Sequence, residues 1–491
     1  MEKRFFLAFV LILAFFVIWS RLMPQQYTQQ VVPEEVRKET STKTEAKQNK
    51  ESTLGLTSLE EATEILPQVQ IGNFVVTYSP LGGFIKEIKI DSSKEPLSFK
   101  NIGFIPEESK VNFSASIREN KITFQREGGP KKEFFFNGYQ VELKFTQPVA
   151  PLLIFSNYFS SNSLTQRYEE GFYSQKDVLK RSNAKGTKEG IYGGVSFAGA
   201  RDRYYCISLL KDDYKIKWAK EKYTTKEGER EVEKERVDLF LLSPLSEVSL
   251  YIGPQSGQEL KRVDLEEILH YGFFHIIGIG MVKLLSFLYF LTKSWGLSVI
   301  LLTICVYGIT FPFTAKSTKA LKMMQQIQPE IEALRHQYKD NPQKAQKETM
   351  EIYRKYKVNP LGGCLPLLLQ LPIFLTLWQV LPRFVGLRGA SFLWIKDLSE
   401  PDSLFTLPFT LPIMGNNFNL LPILLMVISL LQQKFTTPST ANSQQKSMGL
   451  FMAIFFGIIF YNLPAALVLY WFTQSLLTFL YQLRINKIQQ A

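Results

Sequence analysis

KVNPLGGCLPLLLQLPIFLTLWQVL, residues 357–381, decides the fold. A basic segment stops at Asn359-Pro360, passes Gly362, Gly363 and Cys364, and becomes almost purely apolar. Pro360 and the two glycines end the preceding helix and let the chain change direction. Residues 361–382 are long enough for a membrane span, which needs about 20 apolar residues. The stretch before them, 316–357, carries ten basic residues against five acidic ones. Short loops with such an excess stay on the cytoplasmic side, so the span at 361–382 departs from the inside.

Working outward, the apolar runs predict further spans at 297–315, 418–433, 448–463 and 465–483. Loop 383–402 is balanced, with Arg383, Arg388 and Lys396 against Asp397, Glu400 and Asp402, and suits the outside. The tail, with Arg484 and Lys487, suits the inside. If 271–293 crossed the membrane, the basic loop would be exported and the charge rule broken. His275, Lys283, Ser286 and Lys293 instead fall on one side of a helix. Residues 258–295 are therefore expected to hold an amphipathic helix lying on the outer surface.

At the other end, residues 1–20 form a basic start and an apolar run that ends without a small-residue cleavage site, as an uncleaved anchor would. Residues 21–65, rich in Gln, Glu, Lys and Thr, form a linker that cannot bury a core. Residues 66–257 alternate β-branched and aromatic residues between Gly, Pro and Asn breaks, as in an all-β sandwich. Following an anchor whose N-terminus is inside, that domain is exported. The expected fold is thus a helical membrane bundle of six spans, both termini cytoplasmic, with an exported β domain.

Loop 316–358 has its own pattern. Ala320, Met324, Ile327, Ile331, Leu334 and Tyr338 repeat at 4-3-4-3-4, and Ala345, Thr349, Ile352 and Tyr356 at 4-3-4. A turn at Lys339-Asp340-Asn341-Pro342 would fold these stripes against each other as an antiparallel coiled-coil hairpin. With Arg335 and Lys339 near its tip, it could meet acidic lipid, RNA or protein.

Much chemistry is excluded. Cys206 stands alone in the middle of the chain, and the three histidines, His270, His275 and His336, are too scattered for a metal site. No catalytic residue, metal or cofactor is expected. Asp, Glu, Lys, Arg and His are absent from the five C-terminal spans, which argues against an ion relay. Uncharged polar residues are present and fall on shared faces: Thr303, Tyr307 and Thr310; Ser429, Gln432 and Gln433; and Trp471, Gln474, Ser475, Thr478 and Gln482, with Gln370 near mid-depth. Such stripes either join helices or line a wet groove open to the cytoplasm.

GLSVILLTICVYGITFPFTAKSTKA (296–320), the run 328–378 containing NPLGGCLP, FLWIKDLSEPD (392–402) and NLPAALVLYWFTQS (462–475) closely resemble the YidC family of membrane protein insertases. The resemblance covers about 270–487. It implies a five-helix insertase core at 296–487 and an exported β-super-sandwich of the Gram-negative form. It also implies insertion of small or single-pass membrane proteins through a cytoplasm-open hydrophilic groove, alone or with the Sec translocon. The implied location is the bacterial inner membrane. The implied partners are nascent membrane proteins, membrane lipids, and ribosomes or targeting factors at the hairpin. Tyr470 and Trp471 match the family's aromatic pair. Tyr307 stands where the family commonly has Arg, which removes the positive charge from that place. Two other classes stay open: a small-solute transporter with an exported binding domain, and a sugar-modifying enzyme using carboxylates of the β domain.

Overall fold

The computed structural model describes residues 66–490, apart from 91–96, 98, 159–168, 184–185, 228–229, 272–273, 339–340, 359–364, 412–413 and 437–442. The anchor at 1–20, the linker at 21–65, the tip residues Lys339 and Asp340, and the Asn359–Cys364 break lie outside the described residues. The chain divides into two compact units between Gly253 and Pro254.

The first unit is built from strands β1 (Gln68–Ile71), β2 (Phe74–Ser79), β3 (Phe84–Ile90), β4 (Phe99–Ile102), β5 (Ser114–Arg118), β6 (Lys121–Gln125), β7 (Lys131–Asn137) and β8 (Gln140–Val149), followed by β9 (Leu152–Tyr158), β10 (Glu170–Gln175), β11 (Val178–Asn183), β12 (Gly190–Arg201), β13 (Tyr205–Leu209), β14 (Tyr214–Glu227), β15 (Arg230–Leu241) and β16 (Leu245–Pro254). They join as β1-β2-β3-β4-β9-β15-β14-β12-β13-β16-β8-β7-β6-β5, with β10 and β11 branching from β12. This is a large all-β sandwich. Rings fill its core: Phe99 lies 5.8 Å from Phe155, and Phe155 6.1 Å from Trp218.

Strand β7, KKEFFFN, shows how the pattern works. Lys132, Phe134 and Phe136 point inward and their neighbours do not. Lys132 occupies a core position because its ammonium is fully engaged: it pairs with Glu108, donates to the Gly82 carbonyl at 2.7 Å and lies over the Phe113 ring. Burial lowers the Lys132 pKa, and Glu108 opposes that fall. Gly103 is obligatory nearby: its φ is +77°, and a Cβ would sit 2.7 Å from the Phe134 ring.

The second unit is helical: α1 (Gly257–Arg262), α2 (His275–Thr292), α3 (Trp295–Gln337), α4 (Pro342–Lys355), α5 (Leu365–Val380), a β17–β18 hairpin (Ser403–Leu411, Gly415–Asn419), α6 (Leu420–Thr436), α7 (Ser443–Phe460) and α8 (Ala465–Gln490). Leu285, Val299, Leu302, Leu377, Leu425, Phe460, Leu467 and Tyr470 share one core. By length and composition α2, α3 and α8 could each cross a membrane, and α6 and α7 contain shorter apolar helices.

Three features differ from the sequence reading. Helix α3 runs unbroken for 43 residues, through both the span expected at 297–315 and the first hairpin arm. Charge alone does not stop a helix, and TAKSTKALKMM offers no glycine or cap at 316. Tyr356 is exposed, while Tyr353 and Val358 join Ile327, Ile331 and Ile352 in the hairpin seam. Helix α4 ends at Lys355, Lys357 turns left-handed at φ +53°, and Val358 N–H bonds back to the Tyr353 carbonyl at 2.9 Å, which swings Val358 inward. The β17–β18 hairpin was not expected at all. The Asn341 side chain caps α4, accepting from Lys344 N–H at 3.1 Å.

Candidate functional site

The polar residues of α3, α5, α6 and α8 divide by where their hydrogen bonds go. The hydroxyls of Thr303, Thr310, Ser429 and Thr478 return to carbonyls of their own helices, those of Val299, Val306, Leu425 and Gln474, at 2.7–3.0 Å. Thr303 is wholly buried. Such bonds satisfy a hydroxyl in an apolar surrounding but join nothing.

The glutamines do join helices. The Gln370 amide of α5 donates to the Tyr470 hydroxyl of α8 at 3.1 Å, and the Gln474 amide donates to Gln370 Oε1 at 3.2 Å. From α6, Gln432 donates to the Ser475 carbonyl at 2.5 Å, so Ser475 contributes its backbone here. Gln433 is half-buried on the same turn. Tyr470 is fully buried, an interior strut. The Trp471 ring packs among Phe374, Phe456 and Phe460.

Among the described residues of α3 and α8, four buried polar atoms have no hydrogen-bond partner: Tyr307 Oη, Trp471 Nε1, Gln474 Oε1 and Gln482 Oε1. The Tyr307 hydroxyl faces Thr478 and Tyr481, but the approach to Thr478 falls short of hydrogen-bond geometry. The stripe on α3 also runs further than the sequence reading took it. Thr314, Ser317 and Thr318 are buried in continuation of Thr303, Tyr307 and Thr310. Their i+4 and i+7 spacing was the available signal: Thr314 lay inside the expected span and was passed over, and ending the span at 315 cut off Ser317 and Thr318.

Loop 383–402 performs work that charge balance could not reveal. Asp402 Oδ2 accepts from Leu421 N–H at 2.6 Å and Trp394 Nε1 at 3.1 Å, capping α6. Burial raises the Asp402 pKa, and those donors oppose the rise. The carbonyls of Glu400 and Leu398 accept from Ala465 and Ala466 at the start of α8, 2.8 and 2.9 Å away. The run WIKDLSEPD thus ties the N-terminal ends of two helices.

The family described as 60Kd inner membrane protein matches residues 287–491. A membrane protein insertase YidC of Wolinella succinogenes is 32% identical over 376 residues, 76% of this chain and 65% of the relative. The YidC of Pelobacter propionicus is 40% identical over 242 residues, 49% of this chain and 44% of the relative. The chain belongs to the YidC family. It is a membrane protein, and its helical unit carries the family match. It spans less than two thirds of the length of these curated YidC relatives. Among solved structures it is similar to an active YidC insertase with its first transmembrane domain resolved, at 20% identity and a TM-score of 0.43 over 87% of this chain and 96% of that one. It is also similar to YidC from Thermotoga maritima, at 16% identity and a TM-score of 0.35 over 85% and 99%.

Proposed function

We propose that this chain is a membrane protein insertase and chaperone. It moves small or single-pass membrane proteins into the inner membrane through a hydrophilic groove open to the cytoplasm, alone or with the Sec translocon. The observation that carries this reading is the unspent hydrogen-bonding capacity of Tyr307, Trp471, Gln474 and Gln482. Each such atom costs about 1–3 kcal/mol in an apolar surrounding. A passing polypeptide needs what they offer, because its own backbone groups must be satisfied inside the bilayer. Thr310 and Thr478 lie on the same faces, and Gln432, Gln433 and Ser429 extend them on α6.

The work is binding and release, not catalysis. With Tyr at 307, hydration and hydrogen bonding draw the substrate, not a fixed positive charge. Short apolar stretches help: between Lys446 and its end at Phe460, α7 has 14 uncharged residues, about 21 Å of helix against a hydrocarbon core of roughly 30 Å, which favours local thinning.

Charge and burial support the topology. Helix α2 buries Gly278, Met281, Leu285 and Leu288, while its exposed side carries Ile276, Phe287, Phe290 and Leu291 interleaved with Lys283 and Ser286. Apolar side chains interleaved with lysine on the exposed side suit a helix at the interface, where a long lysine stem reaches water from among them. The α3–α4 hairpin then lies in the cytoplasm, where it receives substrate from ribosomes or targeting factors, and the β domain lies in the periplasm.

The test is depletion of the protein followed by insertion of a short single-pass substrate, read by protease accessibility. Insertion should fail and return when the chain is restored. Unimpaired insertion on depletion overturns the reading.

A further inference from the structure

The β17–β18 hairpin is built unlike the rest of the chain. From Ser403 to Asn419 it contains no charged residue and reads SLFTLPFTLPIMGNNFN. Among the described residues its two strands pair only with each other, and an isolated two-stranded hairpin is marginal in water. Its base is nevertheless fixed. Asp402, just before β17, holds the first turn of α6 through Leu421. On the other strand, Asn419 donates to the Tyr461 carbonyl at 2.6 Å, and the Tyr461 hydroxyl donates to the Asn417 carbonyl at 2.9 Å. Beyond that base the body is bare. Phe405 is 51% and Phe409 57% exposed, with Leu404 exposed beside them. Leu393, 75% exposed, stands at the tip of a neighbouring tight turn in a left-handed conformation, next to the Trp394 that bonds to Asp402.

What covers this surface follows from where it leads. Asn419 passes without a linking residue into Leu420 of α6, whose Val427 and Leu431 are exposed and apolar. In a membrane protein those side chains face acyl chains. The hairpin, joined to that helix without a linker, places its exposed apolar side chains at the helix's N-terminal end. A base fixed by hydrogen bonds, a body without charge and large exposed side chains are the requirements for seating in a bilayer interface. We propose that the β17–β18 hairpin lies in the headgroup and acyl boundary of the leaflet at the N-terminal end of α6, with Phe405 and Phe409 in lipid.

The inference rests on α6 crossing the membrane, not on the insertase reading, and its test separates the two. In the full chain with Cys206, Cys305 and Cys364 replaced by alanine, a nitroxide is attached at Phe405→Cys, Phe409→Cys, Val427→Cys or Lys396→Cys. Each variant is reconstituted in phosphatidylethanolamine–phosphatidylglycerol vesicles. Collision with oxygen and with a water-soluble nickel chelate is then measured. Labels at 405 and 409 should favour oxygen over nickel severalfold, at a depth of about 5–10 Å, between the lipid-like label at 427 and the water-like one at 396. Phe405 stacks on Phe418 with ring centroids 4.7 Å apart, and Phe409 reports independently should a label at 405 disturb that stack. Nickel collision at 405 and 409 equal to that at 396 puts the hairpin in water and overturns the proposal. Protection from both agents at 405 and 409 places it against protein, a second copy included, and also overturns it. A water-like label at 427 removes the premise and the proposal with it.

Discussion

The side-chain amide of Gln370 donates to the hydroxyl of Tyr470 at 3.1 Å, across a hundred residues of sequence, and joins α5 to α8 inside the helical unit. Gln370 simultaneously accepts from Gln474. Hydrogen bonds between membrane helices contribute about 0.6–2 kcal/mol. Gln370→Leu, which removes both, should therefore lower the detergent melting midpoint more than Tyr470→Phe, which removes one. The double variant should lose less than the sum, since one bond is counted in both. Full additivity in the melting series would show that Gln370 and Tyr470 act separately.

Lys132 gives a prediction with a pH sign. Its folded pKa lies below the ordinary 10.5 because burial outweighs the pull of Glu108. Between the folded and unfolded values the unfolded chain binds the extra proton, so stability rises with pH across that window. Lys132→Met should remove this rise. Lys132→Ala, which also leaves a void and frees the Gly82 carbonyl, should cost about 3–5 kcal/mol, in the range for breaking a buried pair. Amide exchange of β7 in the full chain, followed from pH 8 to 10, checks both. An unchanged slope in Lys132→Met would assign the effect to other groups.

What the sequence disclosed depended on periodicity. The alternation in β7 was legible, whereas the partners that let Lys132 occupy a core position, Glu108 and the Gly82 carbonyl, are distant in sequence and were not. The shared face of Thr303, Tyr307 and Thr310 was legible because helical spacing fixes it. That Thr303 and Thr310 bond their own helix while Gln370 and Gln432 reach across was not, because rotamers decide it and spacing does not. The β17–β18 hairpin was hidden by Pro408 and Pro412, which argue against a strand in a local reading. The cap formed by Asp402 was hidden because counting its charge placed it in water, whereas it is buried against Trp394 and Leu421.

The hairpin seam can be tested apart from the membrane core. Ile331 and Ile352 are both buried in the small cluster between α3 and α4. Ile→Ala in a core costs about 2–5 kcal/mol, more than a two-helix hairpin with so small a seam can lose. Ile331→Ala with Ile352→Ala should make the hairpin protease-sensitive while the protein still accumulates in the membrane. Substrate reception should then fail before the membrane core does. Loss of the whole protein from the membrane would make the hairpin a structural part of the fold.

Tyr307 distinguishes hydration from packing. It shares a face with Thr310, its buried hydroxyl makes no hydrogen bond, and it faces Thr478 of α8. If the polar stripe serves substrate, Tyr307→Phe keeps the shape and removes one hydrogen-bonding group, and insertion should weaken modestly, by no more than about 2 kcal/mol. Tyr307→Arg should be tolerated, because a wet groove solvates the guanidinium and a long side chain reaches toward the interface. Tyr307→Leu with Gln474→Leu should cost more than either change alone, since both remove polar capacity from the same groove. Insertion of a short single-pass substrate into vesicles carrying each variant gives the measure. Wild-type insertion by the double leucine variant, together with failure of Tyr307→Arg to fold, would mean that these residues hold helices together and take no part in passage.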